Sequence, residues 1–287
     1  MKRQPIPAPL GDVEPHVPLL NVPQEGQLLY KIITIENLLR SISGSYLHFN
    51  RVDSYVDFSG ADPHDGQQLP NDLQGNAMAR FEKAPEFSAA NYYDQSRART
   101  YACCFSLENS DFIWKNYANG SKKGKICVVF DFGKLRTTLN QALKPGNAVL
   151  EYNGNRCRQI FSVNYGIVEY VEWDRDQANK ARLPNPIKYT YLKDKRFSEE
   201  EELRVSLSAL GIGQLVLNDG STIDFPPSLH VTFDSRRAIA DGTIQQILYA
   251  PDCDSGFLRA QLAKLGIVPS EGSIAPLSGG KGEGNKQ

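Results

Sequence analysis

The sequence lacks any run of about 18 consecutive apolar residues, the length that a membrane-spanning helix needs. Its N-terminal segment is interrupted by prolines and has no apolar stretch of the kind found in secretory signal peptides. There are five cysteines, an odd number without paired metal-ligand spacing, which does not suit a disulfide framework. These absences predict a reduced, cytoplasmic protein with no membrane partner.

The chain of 287 residues also has little net charge, −1 at neutral pH. No overall field attracts polyanions, so nucleic acid is not favoured as a partner. Only four histidines are present, and none has the spacing of a metal-ligand pair. Asp62, His64 and Asp65 lie close together in "ADPHDG", but such a loop cluster is a weak indication of a metal site, so no metal is predicted.

Three regions follow from composition. Residues 1–26 contain six prolines and predict an extended arm. Residues 27–268 offer no clear linker and predict a single domain, and residues 269–287 are rich in Gly, Ser and Lys, which predicts a disordered tail. Within the domain, the segment 58–100 begins with a long stretch full of Asp, Gly and Pro, and loops of this length are often functional. The sequence does not define the role of this segment.

Short helical patterns alternate with strand-like segments that cluster in hairpins. "QLLYKII", "RTYACCFS", "KICVVFDF" and "ELRVSLSAL" predict strands. Thr34 is placed to cap a helix over "TIENLLRSI", and Ser110 or Asp111 to cap a short helix that contains Trp114. The pattern predicts an α+β fold with a curved, mostly antiparallel sheet and short flanking helices, and it argues against a doubly wound parallel sheet.

Two aromatic residues, Trp114 and Tyr117, lie three positions apart on that short helix. Aromatic side chains at this spacing most often pack in the hydrophobic core. The helix nevertheless carries more rings than a segment of this length needs, which leaves at least one for a pocket or its rim. A ring in that position can stack on a base or a nicotinamide.

Four glutamates, Glu199 to Glu202, follow Ser198, and the last of them is the first residue of the strand-like segment "ELRVSLSAL". They suit the acidic first turn of a helix. If Glu200 and Glu202 enter the strand, however, both point to one face, followed on that face by Arg204. Such a carboxylate pair can bind a ribose or act as a general base. An edge strand with ion pairs is the alternative, and the sequence does not choose between them.

Several short motifs, in order, resemble a prokaryotic family called domain of unknown function 2971. They are "LLYKI", "LHFNRVDSYVDF", "CFS", "FIWKNYA", "GKICVVFDF", "EEELR" and the closing "IQQILYAPDCDSGFLRAQLAKLGI". The resemblance covers Leu28 to Ile267. The chain departs from the family at Ala250, where Gly is expected, and by a long insert between Asp57 and Tyr101. Because the family has no settled activity, the resemblance implies fold more than function.

A more remote resemblance is to ADP-ribosyltransferases, whose split sheet holds NAD. "LYKIITIENLLRSI" is similar to their first strand and helix, with Lys31 where His or Arg is expected. Phe105-Ser106 resembles the strand that ends in Ser or Tyr, and Glu200 to Glu202 resembles the catalytic Glu-x-Glu. The resemblance implies that Glu202, with Glu200 beside it, is catalytic. The NAD-binding residues that it implies are Tyr30, Lys31, Ser106, Trp114 and Tyr117.

The favoured hypothesis is an ADP-ribosyltransferase-like enzyme or NAD hydrolase, in the context of a toxin or phage-defence effector. Its substrate would be NAD, and its acceptor a protein side chain, a nucleic-acid base or water. The departure at Lys31 favours an alternative, a non-catalytic module that binds or senses a nucleotide or peptide. A further alternative is a nuclease effector in which Asp57, Asp62, Asp65 and the glutamates near Glu202 hold Mg²⁺.

Overall fold

The computed structural model describes residues 14, 20–57, 61–144, 150–157, 161–176, 186–209, 214–217, 219–267 and 272–277. Its strands are β1 (Leu28–Thr34), β2 (Tyr46–Arg51), β3 (Arg80–Phe81), β4 (Ala84–Ser88), β5 (Thr100–Ser106), β6 (Lys125–Asp131), β7 (Leu150–Tyr152), β8 (Asn155–Cys157), β9 (Phe161–Ile167), β10 (Glu169–Val171), β11 (Leu192–Asp194), β12 (Glu202–Ala209), β13 (Leu215–Val216), β14 (Thr222–Ile223), β15 (Ser228–Thr232), β16 (Ile244–Tyr249) and β17 (Ile274–Pro276).

The helices are α1 (Ile35–Gly44), α2 (Pro70–Met78), α3 (Ala89–Arg97), α4 (Asp111–Asn116), α5 (Phe132–Ala142), α6 (Ser235–Ala240) and α7 (Ser255–Lys264). Short 3₁₀ helices cover Val52–Asp57, Pro186–Tyr191 and Lys195–Glu200. Side-chain caps begin several helices as the sequence predicts: the hydroxyl of Thr34 accepts from the amide of Asn37, and that of Ser110 from the amide of Ile113.

The main sheet has eleven strands among the described residues, in the order β17-β16-β6-β1-β5-β2-β15-β7-β8, with β12 and β9 branching from β5. All its pairs are antiparallel except β16 with β17. The predicted α+β fold with a mostly antiparallel sheet and short helices is therefore confirmed. Strand β17 lies within the segment 269–287, so this part of the predicted tail is ordered, because it adds a parallel strand to the sheet edge.

The sheet splits at β5. One edge of β5 pairs with β1 at Ser106 and with β2 at Tyr101 and Ala102, while its other edge pairs with β12 along its length. Strands β1 and β2 therefore diverge on either side of Cys104. Lys31 fills the gap, since its ammonium donates to the carbonyl oxygen of Cys104 over 2.9 Å.

One face of the sheet carries the main hydrophobic core, against which α1, α5, α6 and α7 pack. The opposite face is covered in two parts. Helix α4 packs over β1 and β6, and the segment that contains α2 and α3 packs with residues 171–173 and 189–192 around Leu69, Trp173 and Tyr189. Beneath the segment that contains α2 and α3, the buried polar side chains of β12 lie between this segment and the sheet. Among the described helices, none is both long and apolar enough to cross a bilayer.

Candidate functional site

A row of three residues crosses neighbouring strands on the polar face of the sheet. Ser106, the last residue of β5, pairs directly with Tyr30 on β1 and with Glu202 at the start of β12. Because directly paired residues in antiparallel strands point to the same face, the three side chains share one side of the sheet. The end of β5 thus places a phenol, a hydroxyl and a carboxylate side by side.

Glu202 is buried, with 4% of its surface exposed, and both its oxygens are bonded to cations. Oε1 accepts from Nε of Arg204 at 2.8 Å. Oε2 accepts from Nη2 of Arg204 at 3.1 Å and from Nζ of Lys193 at 3.2 Å. The backbone N–H of Glu202 donates to the phenolic oxygen of Tyr170 at 2.9 Å, which fixes the start of β12.

Glu200 lies at the end of a 3₁₀ helix and not in β12, because Glu201 adopts a left-handed conformation (φ 43°) that turns the chain between them. Its carboxylate nevertheless joins the same cluster. Oε2 accepts from the ammonium of Lys193, and Oε1 accepts from the hydroxyl of Tyr117 at 2.5 Å. Tyr117 is 39% exposed, so it connects the buried charges to the surface.

The two glutamates differ in their ionisation. Burial by itself would raise the pKa of Glu202, but Arg204 and then Lys193 outweigh it and hold that pKa well below the usual range. Burial, followed by the charge of Glu202, raises the pKa of Glu200, although Lys193 opposes this shift. Two carboxylates that share one ammonium are thereby pushed apart in pKa, a pattern typical of functional sites.

Arg204 has no exposed surface and also binds a residue from the 58–100 segment. Its Nη1 and Nη2 donate to the two carboxylate oxygens of Asp65 at 2.6 and 3.0 Å. Nη1 also donates to the carbonyl oxygen of Thr190 at 2.7 Å. The resulting cluster alternates in charge from Asp65 through Arg204, Glu202 and Lys193 to Glu200.

Lys31 does not share this face. Alternation along β1 points it to the core side, where its ammonium lies 5.1 Å from the ring centroid of Phe105. The structure therefore does not bring Lys31 to the face of the sheet that carries Ser106 and Glu202. The β1 residue in the row with Ser106 and Glu202 is Tyr30.

Trp114 and Ser106 are occupied in local structure. Trp114 packs in a hydrophobic cluster with Ile113 and Val129, and its indole N–H donates to Oδ1 of Asn109 at 2.6 Å. The hydroxyl of Ser106 donates to the carbonyl oxygen of Glu108 at 2.8 Å and accepts from the same residue's amide. Packing accounts for Trp114, which leaves Tyr117 as the exposed ring of this segment.

Among the described side chains, the candidate Mg²⁺ ligands do not converge. Asp65 binds Arg204, whereas Asp62 accepts from the backbone amides of His64 and Asp194. His64 stacks on Trp173. No group of three or more potential ligands is arranged to hold a metal within the described part of the chain. The side chain of Asp57 lies outside the described residues.

Two residues of the cluster were missed from the sequence. Lys193 comes from β11 and Tyr170 from β10, a short parallel pair beside the main sheet. No local pattern marks either residue, since each contacts the glutamates only in the tertiary structure. A lysine within ten residues of a glutamate pair was the only available signal.

No family model and no curated protein matches the sequence, so the resemblance to domain of unknown function 2971 stays a prediction. Among solved structures, the chain is similar to Thermus sp. 2.9 DarT in complex with ADP-ribosylated ssDNA. The identity is 10%, the match covers 90% of this chain and 98% of that chain, and the TM-score is 0.34. A similarity of this degree assigns no role to any residue, so the roles below are argued from geometry.

Proposed function

We propose that this chain is an ADP-ribosyltransferase-like enzyme that binds NAD at the end of β5 and transfers its ADP-ribosyl group to an acceptor or to water. The observation that carries the proposal is the row of Tyr30, Ser106 and Glu202, with Glu200 and Tyr117 beside it. The three residues of the row come from the three segments that resemble this enzyme class.

The hydrogen bonds support Glu200, rather than Glu202, as the carboxylate that faces the substrate. Both oxygens of Glu202 are taken by Arg204 and Lys193, whereas Oε1 of Glu200 is bonded to Tyr117, which reaches the surface. A ribose hydroxyl could replace the phenol of Tyr117 as the donor to that oxygen. Glu202 would then hold Lys193 and Arg204 in place.

The chemistry follows from the bond that breaks. The electron pair of the nicotinamide–ribose bond leaves with nicotinamide, and positive charge develops on the ribose. Three carboxylates (Asp65, Glu200 and Glu202) and two cations (Lys193 and Arg204) leave the cluster with one net negative charge when all are ionised. That charge, in a buried setting, stabilises the developing cation. The acceptor's nucleophilic atom captures the ribose carbon and releases its proton.

The test is incubation with NAD labelled on its adenosine part, together with candidate protein and nucleic-acid acceptors. We expect nicotinamide release, and either labelled acceptor or labelled ADP-ribose. Glu200→Gln should slow release by about 10²-fold or more. The matched control is Glu199→Gln, since Glu199 is exposed, and it should keep wild-type rates. A wild-type protein that releases no nicotinamide and labels no acceptor would refute the proposal.

One observation favours a second candidate, a non-catalytic module that binds a nucleotide. Glu202 is fully bonded and buried, as expected of a structural ion pair. This candidate predicts that NAD or another nucleotide raises the melting temperature in a saturable manner without nicotinamide release. A role in toxicity or phage defence, and a protein partner, stay predictions from the resemblance.

A further inference from the structure

The segment 58–100, which departs from the family pattern, supplies one charged residue to the candidate site. Asp65 is 3% exposed and makes a two-pronged contact with Arg204, whose exposed fraction is zero. The two residues are 139 positions apart. All five N–H groups of the guanidinium have acceptors, shared between Asp65, Glu202 and Thr190.

The loop that carries Asp65 is held at several points. Asp62 accepts from the amide of Asp194, the residue after Lys193. Nε of Arg97 donates to the carbonyl oxygen of Asp65 at 2.8 Å. Gly66 has a φ of +70°, and a Cβ there would lie 2.5 Å from a methyl group of Val52, so only glycine fits. These contacts direct the carboxylate of Asp65 towards Arg204.

Asp65 begins a series of contacts that ends at the surface. It binds one side of Arg204, whose other side binds Glu202. Glu202 shares Lys193 with Glu200, and Glu200 accepts from Tyr117. Because each cation is divided between two carboxylates, the position of one charge depends on the next. We propose that Asp65 is a positioning residue for the candidate site, which acts through Arg204 to set how Lys193 is shared between Glu202 and Glu200.

The inference rests on the proposed function for its substrate, and its physical consequence is specific. Without the charge of Asp65, Arg204 turns fully to Glu202, and Lys193 is then held more by Glu200. Both this shift and the loss of a nearby negative charge lower the pKa of Glu200. The charged and titratable groups that face Glu200 are Tyr117 after α4, Lys193 on β11, Glu202 on β12 and Tyr170 on β10.

The experiment is a double-mutant cycle between Asp65→Asn and Glu200→Gln, with NAD affinity as the readout. We expect Asp65→Asn to weaken binding by about tenfold in the wild-type background and to have no further effect in Glu200→Gln. The matched control is Asp94→Asn, which removes another carboxylate of the same segment, one that accepts from Gln68. It should leave affinity unchanged. An equal loss in both backgrounds would mean that Asp65 only supports the fold, and the inference would be overturned.

A second readout needs no ligand. The side-chain carboxyl of Glu200 is titrated by NMR in the wild type, Asp65→Asn and Asp94→Asn. A lower pKa in Asp65→Asn alone supports the inference, and equal pKa values overturn it. If wild-type protein neither binds nor cleaves NAD, the proposed function fails, and this titration still decides the inference.

Should Asp65→Asn not fold, Arg97→Lys takes its place in the cycle. This variant keeps the ion pair between Asp65 and Arg204 but removes the Nε donor that holds the loop. Its effect on NAD affinity must then depend on whether Glu200 is present. An effect of the same size in both backgrounds would overturn the inference.

Discussion

Replacement of Lys193 by methionine tests whether the buried cluster is held by the sharing of one ammonium. The ammonium contacts Glu200 and lies 3.2 Å from Oε2 of Glu202. At an effective dielectric of about 20, attraction over that distance amounts to about 5 kcal/mol per pair before desolvation. Since the removal of one partner leaves buried charge unmatched, Lys193→Met should lower the free energy of unfolding at pH 7 by about 3–5 kcal/mol.

The pH dependence of this loss has a definite sign. Burial already raises the pKa of Glu200, and without Lys193 that pKa rises further, so the folded state binds this proton more tightly than the unfolded state does. Stability from such groups is fully present below their unfolded pKa, about 4.3, and is lost as the pH rises through the folded value. The deficit of Lys193→Met should therefore be larger at pH 8 than at pH 5.

Urea denaturation of the wild type, Lys193→Met and Lys195→Met at pH 5 and pH 8 provides the measurement. Lys195→Met is the matched control, because that exposed lysine pairs with the exposed Glu172, and a solvent-screened surface ion pair contributes little to stability. A deficit for Lys193→Met that is independent of pH, or no larger than that of the control, would refute the account of the cluster.

Three further predictions concern residues around the buried charge cluster. Tyr117→Phe removes a hydrogen bond that lowers the pKa of Glu200, so NMR titration should find that pKa raised, with a stability loss of about 1 kcal/mol. Gly66→Ala should destabilise the protein more than Gly220→Ala in thermal denaturation, because both have positive φ but only at Gly66 is the Cβ position occupied. Trp114→Ala should cost about 3–5 kcal/mol in urea denaturation, as for a core residue, and a stable variant with only weaker ligand binding would contradict this.

Local patterns predicted what depends on a few neighbouring residues. The cap at Thr34 needs only a side-chain oxygen and an amide three positions away, and the structure has that bond. Alternation placed Glu202 and Arg204 on one face of a strand, and β12 keeps them there. The sequence left open whether Glu200 enters the strand, and the structure shows that it does not, since β12 begins at Glu202 after the left-handed Glu201.

The sequence by itself determined the mostly antiparallel α+β architecture and the adjacency of Glu202 and Arg204, because hydrophobic periodicity and strand alternation act within one element. Only the tertiary structure decided which charges face those residues. Asp65 arrives from the 58–100 segment and Lys193 from a short strand beside the sheet. A buried charge is costly unless an opposite charge lies next to it. The partner can come from any part of the chain that the fold brings near, so the local sequence does not reveal it.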